Sequence, residues 1–287
     1  ARAKGHVKAH ATNEGLKYAK GELIACVDAD SVVMEDSVLL MVDYFEEENV
    51  GAVISTIKVS QPKNIYEKIQ HLEYIFATFT RSLMSKADTL HISQGALSIY
   101  KKNLLLKYGG FDEKNITEDL EIAMRLKYYG HRILLCKESI SYTRVPGTFK
   151  ALWDQRVRWF RGFMYNAVKF RKMAFSKKHG MMGMFQYPLN VFSVVTILLM
   201  FVLMSYTFFT TIIKKYLYYS SINWDIFYFN LPNIKNIILS TNVTILFPIA
   251  ISLGVALFIY HQAHKNLKER WQYPVALLTY LTIFPLL

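Results

Sequence analysis

The sequence contains little cysteine, and it lacks the signals that mark a secreted protein. Only 2 of its 287 residues are cysteine, and both, Cys26 and Cys136, lie in short apolar runs. We expect free core cysteines in a reducing compartment, although the sequence leaves a disulfide between them open. The chain also has no initiator methionine and no signal peptide. Because its first residues already belong to a sequence motif, we expect the N-terminal part of the protein to be missing.

Nucleic-acid-binding motifs are absent as well, although the chain is strongly basic. It carries 34 Lys and Arg against 22 Asp and Glu, a net charge of +12, without a helix-turn-helix, a zinc finger or an aromatic nucleic-acid motif. Much of this excess lies between Lys150 and Lys178, directly before long apolar tracts. Positive charge beside such a tract marks the cytoplasmic side of a membrane and attracts anionic headgroups. We therefore predict a lipid membrane, and no nucleic acid, as a partner.

Charged residues are missing from two long tracts in the last third of the chain. Residues 181–213 and 237–260 contain no Asp, Glu, Lys or Arg. Since about 20 apolar residues suffice to cross a bilayer as a helix, we predict that both tracts span a membrane. The last tract, residues 273–287, is of marginal length, so a truncated span and a re-entrant segment both stay open. We expect the aromatic connection around Trp224 to lie at the outer interface.

The first half of the chain has the pattern of an α/β domain. Apolar or β-branched runs at residues 23–27 and 51–59 predict strands, and the helical spacing at residues 37–48 lies between them. This strand–helix–strand order favours a mostly parallel sheet with helices on both faces. We predict this domain for residues 1–148. An amphipathic interfacial segment is predicted for residues 149–185, and a membrane domain for residues 186–287.

An acidic pair follows directly on the first predicted strand. Asp28-Ala29-Asp30 places carboxylates at the carboxyl end of that strand, where α/β sheets bind ligands. Hard oxygen ligands suit Mg²⁺ or Mn²⁺. A solvated turn, in which Asp30 or Ser31 bonds to the backbone, explains the same residues, and for this motif alone both interpretations stay open.

A second acidic motif precedes the helical pattern at residues 118–129. In Thr117-Glu118-Asp119, the Asp119 carboxylate is a candidate general base that takes a proton from an attacking hydroxyl. Acids in a first helical turn are also favoured by the helix dipole and by capping. The sequence of this motif alone does not decide between the two roles.

The third motif lies on the predicted amphipathic helix that begins near Phe149. In Gln-Arg-Val-Arg-Trp at residues 155–159, Gln155, Arg158 and Trp159 share one helical face. Arginine can clamp a diphosphate, and a tryptophan ring offers a plane for a sugar. The alternative is a basic surface helix with Trp159 as a lipid anchor.

In this order, the three motifs and the apolar tracts that follow them resemble the processive family-two glycosyltransferases. This family includes cellulose, chitin, hyaluronan and poly-N-acetylglucosamine synthases. Residues 8–15, Lys-Ala-His-Ala-Thr-Asn-Glu-Gly, are similar to its Lys-Ala-x-Ala-x-Asn-x-Gly element, and Gly-Gly-Phe-Asp at residues 109–112 also fits. Thr-Glu-Asp is closer to the cellulose and poly-N-acetylglucosamine branches than to the hyaluronan branch. The family's first acidic motif, which contacts the nucleotide base, has no counterpart in this chain.

The resemblance implies a GT-A-type domain and an inverting, multi-pass membrane glycosyltransferase whose catalytic domain faces the cytoplasm. The donor would be a nucleotide sugar, expected to be a UDP-sugar, the acceptor a growing glycan, and the cofactor Mg²⁺ or Mn²⁺. Asp30 would bind the metal, and Asp119 would be the catalytic base with Glu118 beside it. The expected substrate-binding residues are Lys8, Asn13, Asp28, Gly95, Gln155, Arg158 and Trp159. The match at Gly95 is loose, since a plain turn before a strand fits it as well.

Two other functions stay open at this stage. A non-processive transferase that adds one sugar to a lipid would share the acids and the base, and the size of its product would distinguish it. A membrane scaffold or transport component is the alternative from another class. A transporter should carry charged residues inside its spans, and the two clear tracts have none.

Overall fold

The computed structural model describes residues 7–221, 243–267 and 273–282. The chain forms two compact units, one of residues 1–187 and 257–287 and the other of residues 188–256. The strands are β1 (Leu23–Cys26), β2 (Val32–Val33), β3 (Val50–Val59), β4 (Ser98–Lys101) and β5 (Arg132–Thr143). The helices are α1 (Val7–Tyr18), α2 (Ser37–Val42), α3 (Ile65–Lys86), α4 (Lys102–Lys107), α5 (Glu118–Tyr128), α6 (Phe149–Lys169), α7 (Tyr187–Ser221), α8 (Val243–Leu267) and α9 (Pro274–Thr282).

The five strands form one sheet in the order β1-β4-β3-β5-β2, and this sheet is mixed. Only β3 and β5 pair in parallel, whereas β1/β4, β3/β4 and β2/β5 are antiparallel. The α/β class is confirmed, but the prediction of a mostly parallel sheet is wrong. The strand–helix–strand pattern correctly gives β1 and β3 the same direction. It does not show that β4, which runs in the opposite direction, lies between β1 and β3 and forms hydrogen bonds with both.

Apolar cores lie on the two faces of this sheet, as predicted. On one face, Ala52 and Ile54 of β3 pack with Ile122 and Leu126 of α5. On the other face, Val53 of β3 packs in a second cluster, whose members include Met41 of α2, Ile99 of β4 and Leu134 of β5. Because both faces of the sheet are covered here, β3 and the first part of β5, Ile133–Cys136, are buried and mostly apolar. The two cysteines are free, which confirms the expectation.

The predicted apolar tracts coincide with helices where the structure describes them. Within the described ranges, one helical stretch, Met182–Ser221, is long and apolar enough to cross a membrane, and its most apolar part is not buried. Helix α8 covers most of the second tract, and the nine-residue α9 lies in the third. In the first unit α9 packs on α3, where Phe76 and Tyr280 stack with 5.3 Å between ring centroids. The connection around Trp224, residues 237–242 and residues 283–287 lie outside the described residues.

Candidate active site

The first part of the site lies at the edge of the sheet where β1 ends and β4 begins. Cys26 pairs with Ser98, so the residues after β1 lie beside those before β4. The Asp28 N–H donates to the Gly95 carbonyl over 2.7 Å. A Cβ on Gly95 would lie 1.9 Å from Oδ2 of Asp28. Position 95 must therefore be glycine for the Asp28 carboxylate to take this place.

Lys8 of α1 joins that carboxylate to the start of α5. Its Nζ lies 2.6 Å from Oδ1 of Asp28 and 3.2 Å from Oε1 of Glu118. Burial opposes the charge of Lys8, but the hydrogen bond to Asp28 and the charges of Glu118, Asp28 and Asp119 outweigh it and raise the pKa of Lys8 above its usual value. Lys8 therefore holds the two acidic motifs together, so that separate parts of the sequence form one charged cluster.

Asp119 lies partly buried beside this cluster. Burial and the negative charges of Glu118 and Asp28 raise its pKa, while Lys8 and the Leu120 N–H, which the carboxylate accepts over 2.8 Å, oppose the rise. The Ser93 hydroxyl donates to the main-chain carbonyl of Asp119 and fixes the backbone there. A carboxylate with a raised pKa is a better proton acceptor, so this environment suits a general base.

The family resemblance implies a divalent cation, and the acidic side chains after β1 are the candidates to bind it. Asp30 is exposed, and no ion pair or side-chain hydrogen bond to it is formed within the described part of the chain. That part of the chain also contains no cluster of three His, Cys, Asp or Glu side chains able to hold a metal. Mg²⁺ is commonly bound by one or two carboxylates together with substrate phosphates and water, so Asp30 beside Asp28 fits such a site.

The third motif lies on α6, which Thr148 caps through its side chain. Arg156 makes two hydrogen bonds to the Glu73 carboxylate of α3, one of them 2.8 Å long, and its guanidinium carbon lies 4.7 Å from the Trp159 ring centroid. Gln155 is partly buried, and its Oε1 has no hydrogen-bond partner among the described residues. Arg158 is exposed. Arg158 and Trp159 are therefore exposed at the surface of α6, while Arg156 is held within the protein.

A buried polar cluster connects α6 to the residues just before Asp119. Asn166 of α6 donates to the Thr117 hydroxyl over 3.2 Å, and Asn115 donates to Oδ1 of Asn166 over 2.8 Å. A Cβ on Gly162 would lie 2.2 Å from Oγ1 of Thr117, so the two elements touch at a glycine. Gly162 follows Trp159 by three residues, and Thr117 precedes Asp119 by two. The structure thus brings the second and third motifs together.

Replacing Gly162 with alanine should therefore disturb the site, although Gly162 is not itself a proposed site residue. Gly162→Ala must push α6 away from Thr117, and we expect the folded state to lose about 1–3 kcal/mol, as is usual for overpacking. Thermal unfolding measures the loss, and sugar transfer should fall with it. Gly254→Ala is the matched control, because a Cβ on this helical glycine would meet no atom within 4 Å. Equal melting temperatures for the two variants would contradict the proposed packing.

Asn13 lies apart from the carboxylate cluster. Its amide donates to the Phe111 carbonyl and to Oε1 of Glu113, both over 2.9 Å, and its Oδ1 accepts the Phe111 N–H over 2.8 Å. These bonds fix the turn that leads into Phe111, and Asn13 and Phe111 both line a cavity of about 800 Å³. Its predicted place near the nucleotide stays a prediction.

Sequence reasoning missed the charged residues of α3. Glu73 binds Arg156, and Arg81 donates to Oε1 of Gln94 over 2.8 Å. Gln94 precedes Gly95, the partner of Asp28. Their spacing, eight residues apart on one helix, does not by itself indicate a role in the site.

Comparison with known proteins places this site in a family. Residues 23–259 match the model of glycosyl transferase family group 2. A poly-β-1,6-N-acetyl-D-glucosamine synthase from Staphylococcus epidermidis is 34% identical over 158 residues, which are 54% of this chain and 38% of that protein. The synthase of the same name from Staphylococcus aureus strain COL is 32% identical over 158 residues, with the same coverage. The aligned part thus spans well under half the length of these curated relatives.

A solved structure gives a weaker likeness. A mannosyltransferase from Pyrobaculum calidifontis, in complex with GDP-Man and Mn²⁺, matches 60% of this chain and 44% of its own at 25% identity and a TM-score of 0.46. Such a score does not by itself establish a common fold. The family match is decisive, since it covers more than half of the chain and includes all three motifs from Asp28 to Trp159. The chain belongs to glycosyl transferase family group 2.

Proposed function

We propose that this chain carries the catalytic part of a membrane-bound, inverting glycosyltransferase that extends a glycan from a nucleoside-diphosphate sugar. The observation that supports this most is the cluster of Asp28, Glu118 and Asp119 around Lys8, next to the helix that bears Trp159. It combines a proton acceptor, acids for a metal and a platform for a sugar at one edge of the sheet. We propose residues 1–148 as the catalytic domain, 149–185 as the interfacial segment and 186–287 as the membrane domain.

The donor side of the site would hold the diphosphate. Asp30, with Asp28 beside it, would bind Mg²⁺ or Mn²⁺, and such a cation neutralises the charge that develops on a departing nucleoside diphosphate. Arg158 is exposed, and its forked donors would clamp the same phosphates. Lys8 keeps Asp28 in place through their 2.6 Å ion pair.

The chemical step would be a single displacement. The acceptor hydroxyl loses its proton to the Asp119 carboxylate as its oxygen bonds to the anomeric carbon, and the bond from that carbon to the diphosphate oxygen breaks with its electron pair. One displacement inverts the anomeric configuration and requires no covalent sugar–enzyme intermediate. Glu118, paired with Lys8, keeps the start of α5 oriented for this step.

The acceptor would lie against α6. Trp159 gives its terminal sugar an apolar plane, and the amide of Gln155, on the same face of α6, would hydrogen-bond to its hydroxyls. The similarity to two synthases named for poly-β-1,6-N-acetylglucosamine supports N-acetylglucosamine as the transferred sugar, and the family resemblance implies UDP as its carrier. A screen of radiolabelled nucleotide sugars tests this, using full-length protein in membranes with Mg²⁺ or Mn²⁺. We expect labelled polymer from UDP-N-acetylglucosamine, and a product with a single added sugar would instead favour the non-processive alternative.

The membrane assignment is supported by α6 and α7 separately. Helix α7 is uncharged over most of its length and exposes large apolar side chains such as Phe192, Ile197 and Phe201. Helix α6 exposes an apolar stripe that suits a membrane surface, formed by Phe149, Trp153, Phe160, Met164 and Val168. Two of the predicted basic residues are already used in ion pairs, since Arg156 binds Glu73 and Lys169 binds Asp112 and Glu121. The other exposed basic residues of this segment are available to contact anionic headgroups.

Thiol labelling tests the topology. The two variants are made in a background without Cys26 and Cys136. On intact cells we expect Lys178→Cys to resist an impermeant thiol reagent and Trp224→Cys to react with it. The reason is that the basic residues between Lys150 and Lys178 should lie on the cytoplasmic side. Permeabilised cells provide the control, since both positions should then react. Labelling at position 178 but not at position 224 in intact cells would reverse the topology.

A further inference from the structure

We propose that Glu73 is a positioning residue for the acceptor sugar and that it acts on the Trp159 ring through Arg156. The inference rests on the proposed function, in which Trp159 is the acceptor platform. Glu73 lies on α3, more than 80 residues before the motif that it would orient.

The Glu73–Arg156 pair is built as a fixed contact. Both nitrogens at the end of the guanidinium bond to the two carboxylate oxygens, and the side chains are only 20% and 19% exposed. Burial raises the pKa of Glu73, while the charges of Arg156 and Arg81 oppose the rise. Losing one partner would leave a largely buried charge without compensation, which is costly. The pair therefore fixes where the guanidinium lies.

That guanidinium lies over one face of the platform. Its carbon is 4.7 Å from the Trp159 ring centroid, within the range of a cation–π contact. Since an indole ring has two faces, a sugar can stack only on the other. Trp159 is 36% exposed, so part of the ring remains accessible. Glu73 thus selects the stacking face and holds the ring in place through Arg156.

Helix α3 also contacts the proposed donor side of the site. A residue on this helix can therefore affect the geometry of the site. Arg81, two turns after Glu73, donates to Gln94, and Gly95 accepts the Asp28 N–H. Burial lowers the pKa of Arg81, while the charges of Glu73 and Asp119 oppose the fall, which is consistent with a place for Arg81 near the proposed base. One helix therefore fixes both the acceptor platform and the segment that cradles Asp28.

Glu73→Gln tests the inference, since it keeps the shape of the side chain and removes its charge. In full-length protein in membranes, with UDP-N-acetylglucosamine and a β-1,6-linked N-acetylglucosamine tetrasaccharide, we expect the acceptor KM to rise about tenfold or more. The donor KM and the slow hydrolysis of donor without acceptor should change less than about twofold. Glu73→Asp keeps the charge and should recover part of the acceptor affinity.

A matched control lies just beyond the other end of α3. Asp88 pairs with Lys127 over 2.7 Å, so Asp88→Asn makes the same acid-to-amide change in an ion pair away from the site and should leave the acceptor KM unchanged. If Glu73→Gln fails to fold, Arg156→Lys decides, because lysine keeps the charge but loses both the forked pairing and the planar stacking.

The outcomes are distinct. An unchanged acceptor KM in an active Glu73→Gln or Arg156→Lys enzyme would overturn the positioning role. A parallel fall of transfer and donor hydrolysis would show a merely structural role and would overturn it too. Failure of the wild-type protein to transfer or hydrolyse any nucleotide sugar would instead refute the proposed function itself.

Discussion

Asp119→Asn should lower the rate of sugar transfer by a factor on the order of 10² to 10⁴, the usual worth of a general base. Asparagine keeps the shape and some hydrogen bonding of Asp119 but cannot take a proton from the acceptor hydroxyl. Donor binding should change little, because the nucleotide would be held by Asp30, its metal and Arg158. Initial rates with labelled donor, compared with the donor dissociation constant, separate the two effects.

The capping alternative makes the opposite forecast. Asparagine caps a helix nearly as well as aspartate, so an Asp119 that only stabilised α5 could be replaced with little loss of activity. Near-normal transfer by this variant would remove Asp119 from the mechanism. Asp36→Asn is the control, since Asp36 stands at the N-terminus of α2 and makes no side-chain cap bond.

The pH profile should report the same group. Burial and the charge of Glu118 raise the pKa of Asp119, so this carboxylate takes up its proton at a higher pH than an ordinary aspartate does. The base is active above its pKa and lost as the pH falls through it. We therefore expect the acid limb of kcat/KM, which reports groups of the free enzyme, to lie above the usual aspartate range, and a limb within that range would speak against Asp119 as the base.

Asp30→Ala should abolish donor binding that depends on a divalent cation. The change removes an exposed carboxylate, and a hard cation bound by few protein ligands depends strongly on each charged oxygen. Calorimetry with UDP, with and without Mg²⁺ or Mn²⁺, measures the loss.

Glu35→Ala provides the control for a missing surface charge. Glu35 is also exposed and lies five residues further along, after β2. It should leave metal-dependent affinity unchanged. An Asp30→Ala protein that keeps this affinity would remove Asp30 from the proposed metal site.

The sequence predicted local elements better than the way they combine. The strand beginning at Leu23 and the helix beginning at Glu118 have the predicted starts, because both follow from apolar runs and periodicity within a few residues. The direction and place of β4 depend on contacts with β1 and β3 that a local pattern does not contain. Strand β5 likewise extends to Thr143 because its pairing with β3 resumes after an irregularity near Ser55, and that pairing is not visible in a local pattern.

The same limit applies to the site. The spacing of Gln155, Arg158 and Trp159 is enough to predict that they share one helical face. The roles of the acidic residues were predicted from the family resemblance. That Lys8 bridges Asp28 and Glu118, and that Glu73 binds Arg156, depends on side chains that meet only after α1, α3, α5 and α6 have packed.

The configuration of the newly formed bond tests the central claim most directly. UDP-N-acetylglucosamine carries its sugar in the α configuration, so one displacement assisted by Asp119 must give a β linkage. The full-length protein should be incubated in membranes with this donor, labelled with ¹³C at the anomeric carbon, and the product examined by NMR. The account predicts labelled glycan with β linkages only, formed in the presence of Mg²⁺ or Mn²⁺ and almost absent with Asp119→Asn. Labelled glycan with α linkages would contradict it.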